Sequence, residues 1–249
     1  MTDRSSTSWP GDARGAISIR YDDALPCHYQ LVAPAWESHG LCVTFYTQIY
    51  GVMASPEAWR GVAEKGHELG NHSIFHPCRK HEGMNWLADD YDLSKYTPRR
   101  WSDEMRIASS VLSSLDGKTE RSFGNNCCNP ELGEGDSLHS LEPLIEEQFV
   151  AGRGPHDDQV VDVSAINYSA LGHFGADGRT FEDLKQEIER GIETGGWIIY
   201  MIHGVGEGTH GMYMDPDQHQ LLVNYLSRRQ DTIWTAPVAT VARYLRDLS

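Results

Sequence analysis

Apolar and polar positions alternate over residues 16–21, Ala-Ile-Ser-Ile-Arg-Tyr, and the run ends in Asp22-Asp23. That period of two predicts a strand with an acidic pair at its C-terminal end. Residues 41–47 are rich in β-branched and aromatic side chains and predict a second strand. Ser55-Pro56 predicts a helix start, with Ser as N-cap and Pro at the first helical position. Trp59, Val62 and Ala63 form its apolar stripe, and Gly66 ends it. Residues 67–72 read as a short strand that delivers His72-Ser-Ile-Phe-His76. Residues 77–101 show no period but carry Trp86, Tyr91, Tyr96 and Trp101, which predicts a long aromatic loop forming part of a substrate wall.

The second half repeats the alternation. A helix is predicted over 102–115, with Met105, Ala108, Val111, Leu112 and Leu115 inward and Gly117 beyond its end. Residues 119–130 read as a strand end followed by a tight polar loop. A helix over 181–194 stops at Gly195-Gly196, and residues 197–202 form the most apolar strand, followed at once by His203-Gly204. A helix over 217–228, a strand over 232–234 and a helix over 238–248 close the chain. Strands alternating with helices predict an α/β fold with a parallel sheet or barrel. No linker or repeat divides it, so one domain is expected over 14–249, after a polar segment over 1–13.

Composition narrows the partners. The formal net charge of −15 at pH 7 argues against nucleic acid and acidic membranes. No apolar run is long enough to span a bilayer, and the polar N-terminus has no signal-peptide core. The expected location is the cytoplasm, or outside the cell if a leader has been removed. The five cysteines, Cys27, Cys42, Cys78, Cys127 and Cys128, are odd in number and scattered, unlike a disulfide framework. Cys127 and Cys128 are expected to be buried and inert, and a vicinal pair is a poor disulfide.

The chemistry gathers after strands. Asp23, His72 and His76 together supply one hard oxygen and two imidazole nitrogens, the open ligand set of a catalytic zinc-type metal. Asp22 is left free to act as a base on the water such a metal activates. Adjacent strand residues point to opposite faces, so both aspartates can face one pocket only if the chain bends there. Of the other histidines, His67 and His81 read as satisfied or solvated, His210 falls in a glycine-rich rim loop over 204–214, and His219, near the start of its helix, reads as a surface residue or one that reaches the pocket mouth.

The order Asp-Asp, then His-Ser-x-x-His, then a loop near an Arg, then an apolar strand ending in His, resembles the metal-dependent polysaccharide deacetylases, carbohydrate esterase family four. The resemblance covers the chain from about residue 14 onward. It implies a distorted barrel with seven β/α units and a divalent metal, zinc first and cobalt or another divalent ion next. Carried over residue by residue, it makes Asp22 the base, Asp23, His72 and His76 the metal ligands, and His203 the general acid. The motifs also depart from the family. Arg20-Tyr21-Asp22-Asp23-Ala24 replaces Thr-Phe-Asp-Asp-Gly, with Arg20 expected to face outward or else to touch Asp22. The usual Arg followed by Pro-Tyr-Gly becomes Arg121-Ser-Phe-Gly124-Asn125-Asn126. Arg121 is expected to steady Asp22 or to lie on the surface, and Gly124, Asn125 and Asn126 to offer donors to an oxyanion. An acidic motif with a Trp is faintly echoed in residues 162–168.

The function implied is removal of an acetyl or other acyl group from an N- or O-acetylated carbohydrate. The alternatives are hydrolysis of a small amide, ureide or cyclic imide, and a non-catalytic carbohydrate-binding relative that kept the scaffold.

Overall fold

The computed structural model describes residues 9–248. Its main sheet has eight strands: β1 Gly15–Asp22, β2 Thr44–Thr47, β3 Glu68–Asn71, β4 Ser122–Phe123, β5 Ala151–Gly152, β6 Phe174–Gly175, β7 Trp197–Ile202 and β8 Ile233–Thr235. Seven run in the order β5-β4-β3-β2-β1-β7-β6, all parallel. The eighth, β8, pairs Gly15–Ile17 of β1 with residues 233–235, while β2 pairs Arg20–Asp22 with residues 44–46. One edge of β1 is thus shared by two neighbours, and this is the distortion of the barrel. The sheet curls with helices around it, as the alternation predicts.

All eight residues of β1 are buried, as a parallel strand covered on both faces requires. Ile17, Ile19 and Tyr21 pack outward into a large apolar cluster with Phe45, Leu69, Trp36 and Trp59. The alternate residues face the other way. Ser18 Oγ donates to the carbonyl of Ala236, and Arg20 turns toward Asp22. A second cluster seals the far end with Trp9, Trp197, Ile199 and Val241, backed by Trp234 and Tyr244. Trp9 Nε1 donates to the carbonyl of Gly195 at 3.1 Å. The end of the 1–13 segment therefore belongs to the core, and residues 1–8 lie outside the described residues.

Helix boundaries follow their caps. The helix expected from 102 begins at Pro98 and runs to Asp116 (α4), because the Thr97 hydroxyl accepts from Arg100 N–H and Pro98 takes the first helical position. Phe181–Glu193 (α6) starts with a full capping box between Thr180 and Asp183. Pro56–Glu64 (α3) has Ser55 before it, but that hydroxyl bonds the Tyr29 hydroxyl instead of capping. Short helices at Ala33–Glu37 (α1), Ile49–Ala54 (α2) and Glu142–Gln148 (α5) carry no full amphipathic period and escape the sequence pattern. No described helix is long and apolar enough to cross a membrane.

Candidate active site

The residues with chemistry stand immediately past strand ends on one rim. Asp22 and Asp23 close β1, His72 follows β3, Gly124 follows β4, Arg153 follows β5, Asp177 lies two residues past β6, and His203 follows β7. This is the C-terminal face on which parallel α/β barrels build their sites. The required bend after β1 is present: Asp23 and Ala24 have φ of 82° and 54°. It turns Asp23 onto the face that already carries Asp22.

His72 and His76 both bring Nε2 to 3.2 Å from Asp23 Oδ1. The pair is not on a helix. Ser73 and His76 have positive φ, and the turn is held by side chains. Asn71 Oδ1 accepts from Ser73 N–H, Ser73 Oγ accepts from His76 N–H, and buried Glu104 Oε1 accepts from the N–H groups of Ile74 and Phe75. His72 Nδ1 donates to the carbonyl of Gly124 at 2.7 Å, which fixes the tautomer and leaves the Nε2 lone pair facing Asp23. Asp23 Oδ1 is itself buried and accepts no hydrogen bond. Two imidazole lone pairs and an orphaned carboxylate oxygen converging on one point fit a divalent cation, whose absence would leave them repelling each other.

Asp22 is buried between two guanidiniums. Arg20 Nη1 lies 3.3 Å from Oδ1, and Arg153 Nη1 makes a short contact with Oδ2. Burial alone would raise the carboxyl, but Arg153 and Arg20 outweigh it and hold Asp22 well below the usual carboxylate range. Arg20 therefore does not face outward. Its own pKa is lowered to about 10 by burial and by Arg153, so it stays charged at neutral pH.

Arg121 does not steady Asp22. It is buried on the carbonyls of Leu69 and Lys118 and paired with Asp116. The role expected of it falls to Arg153, which the sequence reading missed because β5 is too short to show a period. The loop after β4 also differs from expectation. Gly124 N–H donates to the carbonyl of Asn71, Asn125 Nδ2 to that of Arg153, and Asn126 Nδ2 to that of His72. These donors build the wall instead of facing an oxyanion. Gly124 is required by closeness: a Cβ there would stand 2.7 Å from Tyr46 Cδ2 and 3.1 Å from His72 Nδ1.

His203 is buried, and Asp177 grips it twice. Oδ1 accepts from the backbone N–H at 2.9 Å and Oδ2 from Nδ1 at 2.7 Å, so Nε2 is the ring nitrogen that Asp177 does not hold. Burial pulls the imidazole pKa down, but Asp177 and Asp22 overcome this and raise it above the ordinary value. Activity that needs protonated His203 is then lost as pH rises through that raised pKa. Asp177→Asn removes the main opposing charge, so the alkaline limb of the pH–kcat profile is expected to move to lower pH with KM unchanged; an unmoved limb would remove His203 from the acid role.

Among the remaining histidines, His67 is buried and accepts from Val43 N–H, and His219 is buried on the Tyr21 hydroxyl and so is not a surface residue. His210 joins the site. The glycine-rich loop lays its ring on that of His203, centroids 5.0 Å apart, with Nε2 3.6 Å from Asp23 Oδ2. Of the residues expected to form a loop over 77–101, residues 77–97 form an irregular loop with two short 3₁₀ turns, and 98–101 belong to α4. Trp86 on it is 60% exposed and rests against His76. Cys127, expected to be a free buried thiol, is bonded to Cys78, which ties the histidine turn to the loop after β4.

Residues 11–125 match the family model described as polysaccharide deacetylase. Over this stretch the chain is similar to that family. A curated gellan lyase of Bacillus sp is 22% identical over 95% of the chain, but the chain spans about a tenth of that protein's length. Among solved structures, a Mycobacterium smegmatis protein assigned to the polysaccharide deacetylases superposes with a TM-score of 0.66 at 13% identity, covering 100% of this chain and 96% of that one. Puue allantoinase gives 0.63 at 13% identity over 96% and 92% of the two chains. A family 4 acetyl xylan esterase from Clostridium thermocellum, solved with a cobalt ion, gives 0.56 at 16% identity over 93% and 92%. These likenesses establish the polysaccharide deacetylase fold.

Proposed function

We propose that this protein is a metal-dependent hydrolase that removes acetyl groups from an N- or O-acetylated carbohydrate. The observation that carries the reading is the convergence of Asp23, His72 and His76 beside Asp22 and His203 on one rim. A metal-binding scaffold without catalysis needs neither a buried, doubly paired Asp22 nor an Asp177-tuned His203. Asp23, His72 and His76 would hold the ion, and their one-oxygen, two-nitrogen set favours zinc. When bound, the ion supplies Lewis-acid polarisation of water and of the acyl carbonyl.

The chain's own residues do the proton work. Asp22, kept ionised by Arg153 and Arg20, accepts the proton of the attacking water. His203 Nε2, protonated because Asp177 supports the charge on the far side of the ring, donates to the leaving nitrogen or oxygen. Exposed Trp86 beside His76 offers a flat apolar face to a sugar ring at the pocket's edge.

The test is acetate release from acetylated monosaccharides, chitooligosaccharides and acetylxylan, with zinc or cobalt and against a chelated control. Metal-dependent release is expected from at least one of them. Stoichiometric metal binding without release, together with turnover of a cyclic imide or ureide, would replace the carbohydrate with a small amide. Binding of carbohydrate without turnover of either class would leave a binding module.

A further inference from the structure

The Cys78–Cys127 bond sits against the candidate metal centre, and His76 belongs to both. Its Nε2 faces Asp23 at 3.2 Å, while Nδ1 on the opposite edge of the ring lies 3.6 Å from Cys78 Sγ. A ring nitrogen of His76 and the two sulfurs all lie within 4.8 Å of one another. Cys78 is fully buried, whereas Cys127 is exposed on the loop after β4. A reductant can therefore reach one sulfur from solvent, and the other is already shielded from water. The remaining nearby thiol, Cys128, turns away toward His173 Nε2.

We propose that once the Cys78–Cys127 bond is reduced, the two sulfurs and His76 Nδ1 form a second metal site, rich in thiolate, that shares its imidazole with the first. The reduction is a two-electron step. A dithiol or phosphine reductant gives two electrons, two protons are taken up, the S–S bond breaks and two thiols result. Each thiol releases its proton as it takes a cation, and when both sites are filled His76 also releases its remaining ring N–H proton, so that it bridges them as an imidazolate. The oxidised pair has no thiolate to offer, so the second site exists only in the reduced protein. Two soft sulfurs and one nitrogen select zinc or a softer ion over calcium or magnesium. Because one ring serves both sites, the redox state of the pair governs how His76 is shared, and the metal content of the protein becomes redox-dependent.

The test is a cobalt(II) titration of the full chain, oxidised and after reduction with a phosphine that is then removed anaerobically. Reduction is expected to add an intense near-ultraviolet sulfur-to-cobalt charge-transfer band that the oxidised protein lacks. Cys27, Cys42 and Cys128 are free thiols in both states, so the difference isolates the pair. The band should vanish in the Cys78→Ser/Cys127→Ser variant and persist in Cys128→Ser. No band from reduced wild-type protein whose thiol count shows the pair open would overturn the proposal, as would a band that survives the double substitution. The spectrum does not depend on turnover, so loss of the hydrolytic reading and loss of this site are told apart.

Discussion

Asp22→Asn is expected to lower kcat by roughly 10²- to 10⁴-fold, the usual contribution of a positioned general base, with metal still bound. It is also expected to cost stability. In the wild type one buried carboxylate stands between the guanidiniums of Arg20 and Arg153. The amide leaves both cations without their counter-charge, and breaking a buried pair in this way costs about 3–5 kcal/mol. A chain of this size then melts roughly 6–20 °C lower. The two effects separate in the double variant Asp22→Asn/Arg153→Met. Removing one guanidinium restores the local net charge, so much of the melting temperature should return while kcat stays low. Full activity in folded Asp22→Asn would take the base role away from Asp22. Recovery of activity in the double variant would make its role structural only.

The same pair shows how far the sequence reaches. The strand ending in Asp22 and the strand before His203 announce themselves, because six- to eight-residue strands carry a readable period, and the histidine turn after the four-residue β3 is legible from its His-x-x-x-His spacing. Arg20 was readable too: residues two apart on a strand share a face, so an inward Asp22 commits Arg20 to the same side. Arg153 and Asp177 were not readable. Each follows a strand of two residues, and two residues have no period. Arg121 drew attention instead because it fell where a family motif holds an Arg, yet Asp116 and two carbonyls occupy it. The Cys78–Cys127 bond was hidden for a related reason. Its partners lie 49 residues apart, and only the pairing of β3 with β4 brings their loops together.

Oxidised wild-type protein is expected to gain roughly 5–10 °C in melting temperature on saturation with zinc, and Asp23→Asn to gain none. A ligand at a hundred times its Kd stabilises the folded state by about 2.7 kcal/mol, which corresponds to that shift at this chain length. The increment is the quantity to compare, because it removes any difference in baseline stability between variant and wild type. Asn keeps the volume of Asp23 and one carbonyl oxygen but loses the charge that offsets the cation, so affinity should collapse without a cavity being opened. With the Cys78–Cys127 bond intact, the sulfurs cannot substitute for the lost ligand. Chelation of the wild type should remove the zinc increment and abolish turnover together, since Asp23, His72 and His76 hold the one cation that both depend on. A zinc increment that survives Asp23→Asn in the oxidised protein would move the metal away from this rim, and Asp22 and His203 would lose the partner that gives their placement its purpose.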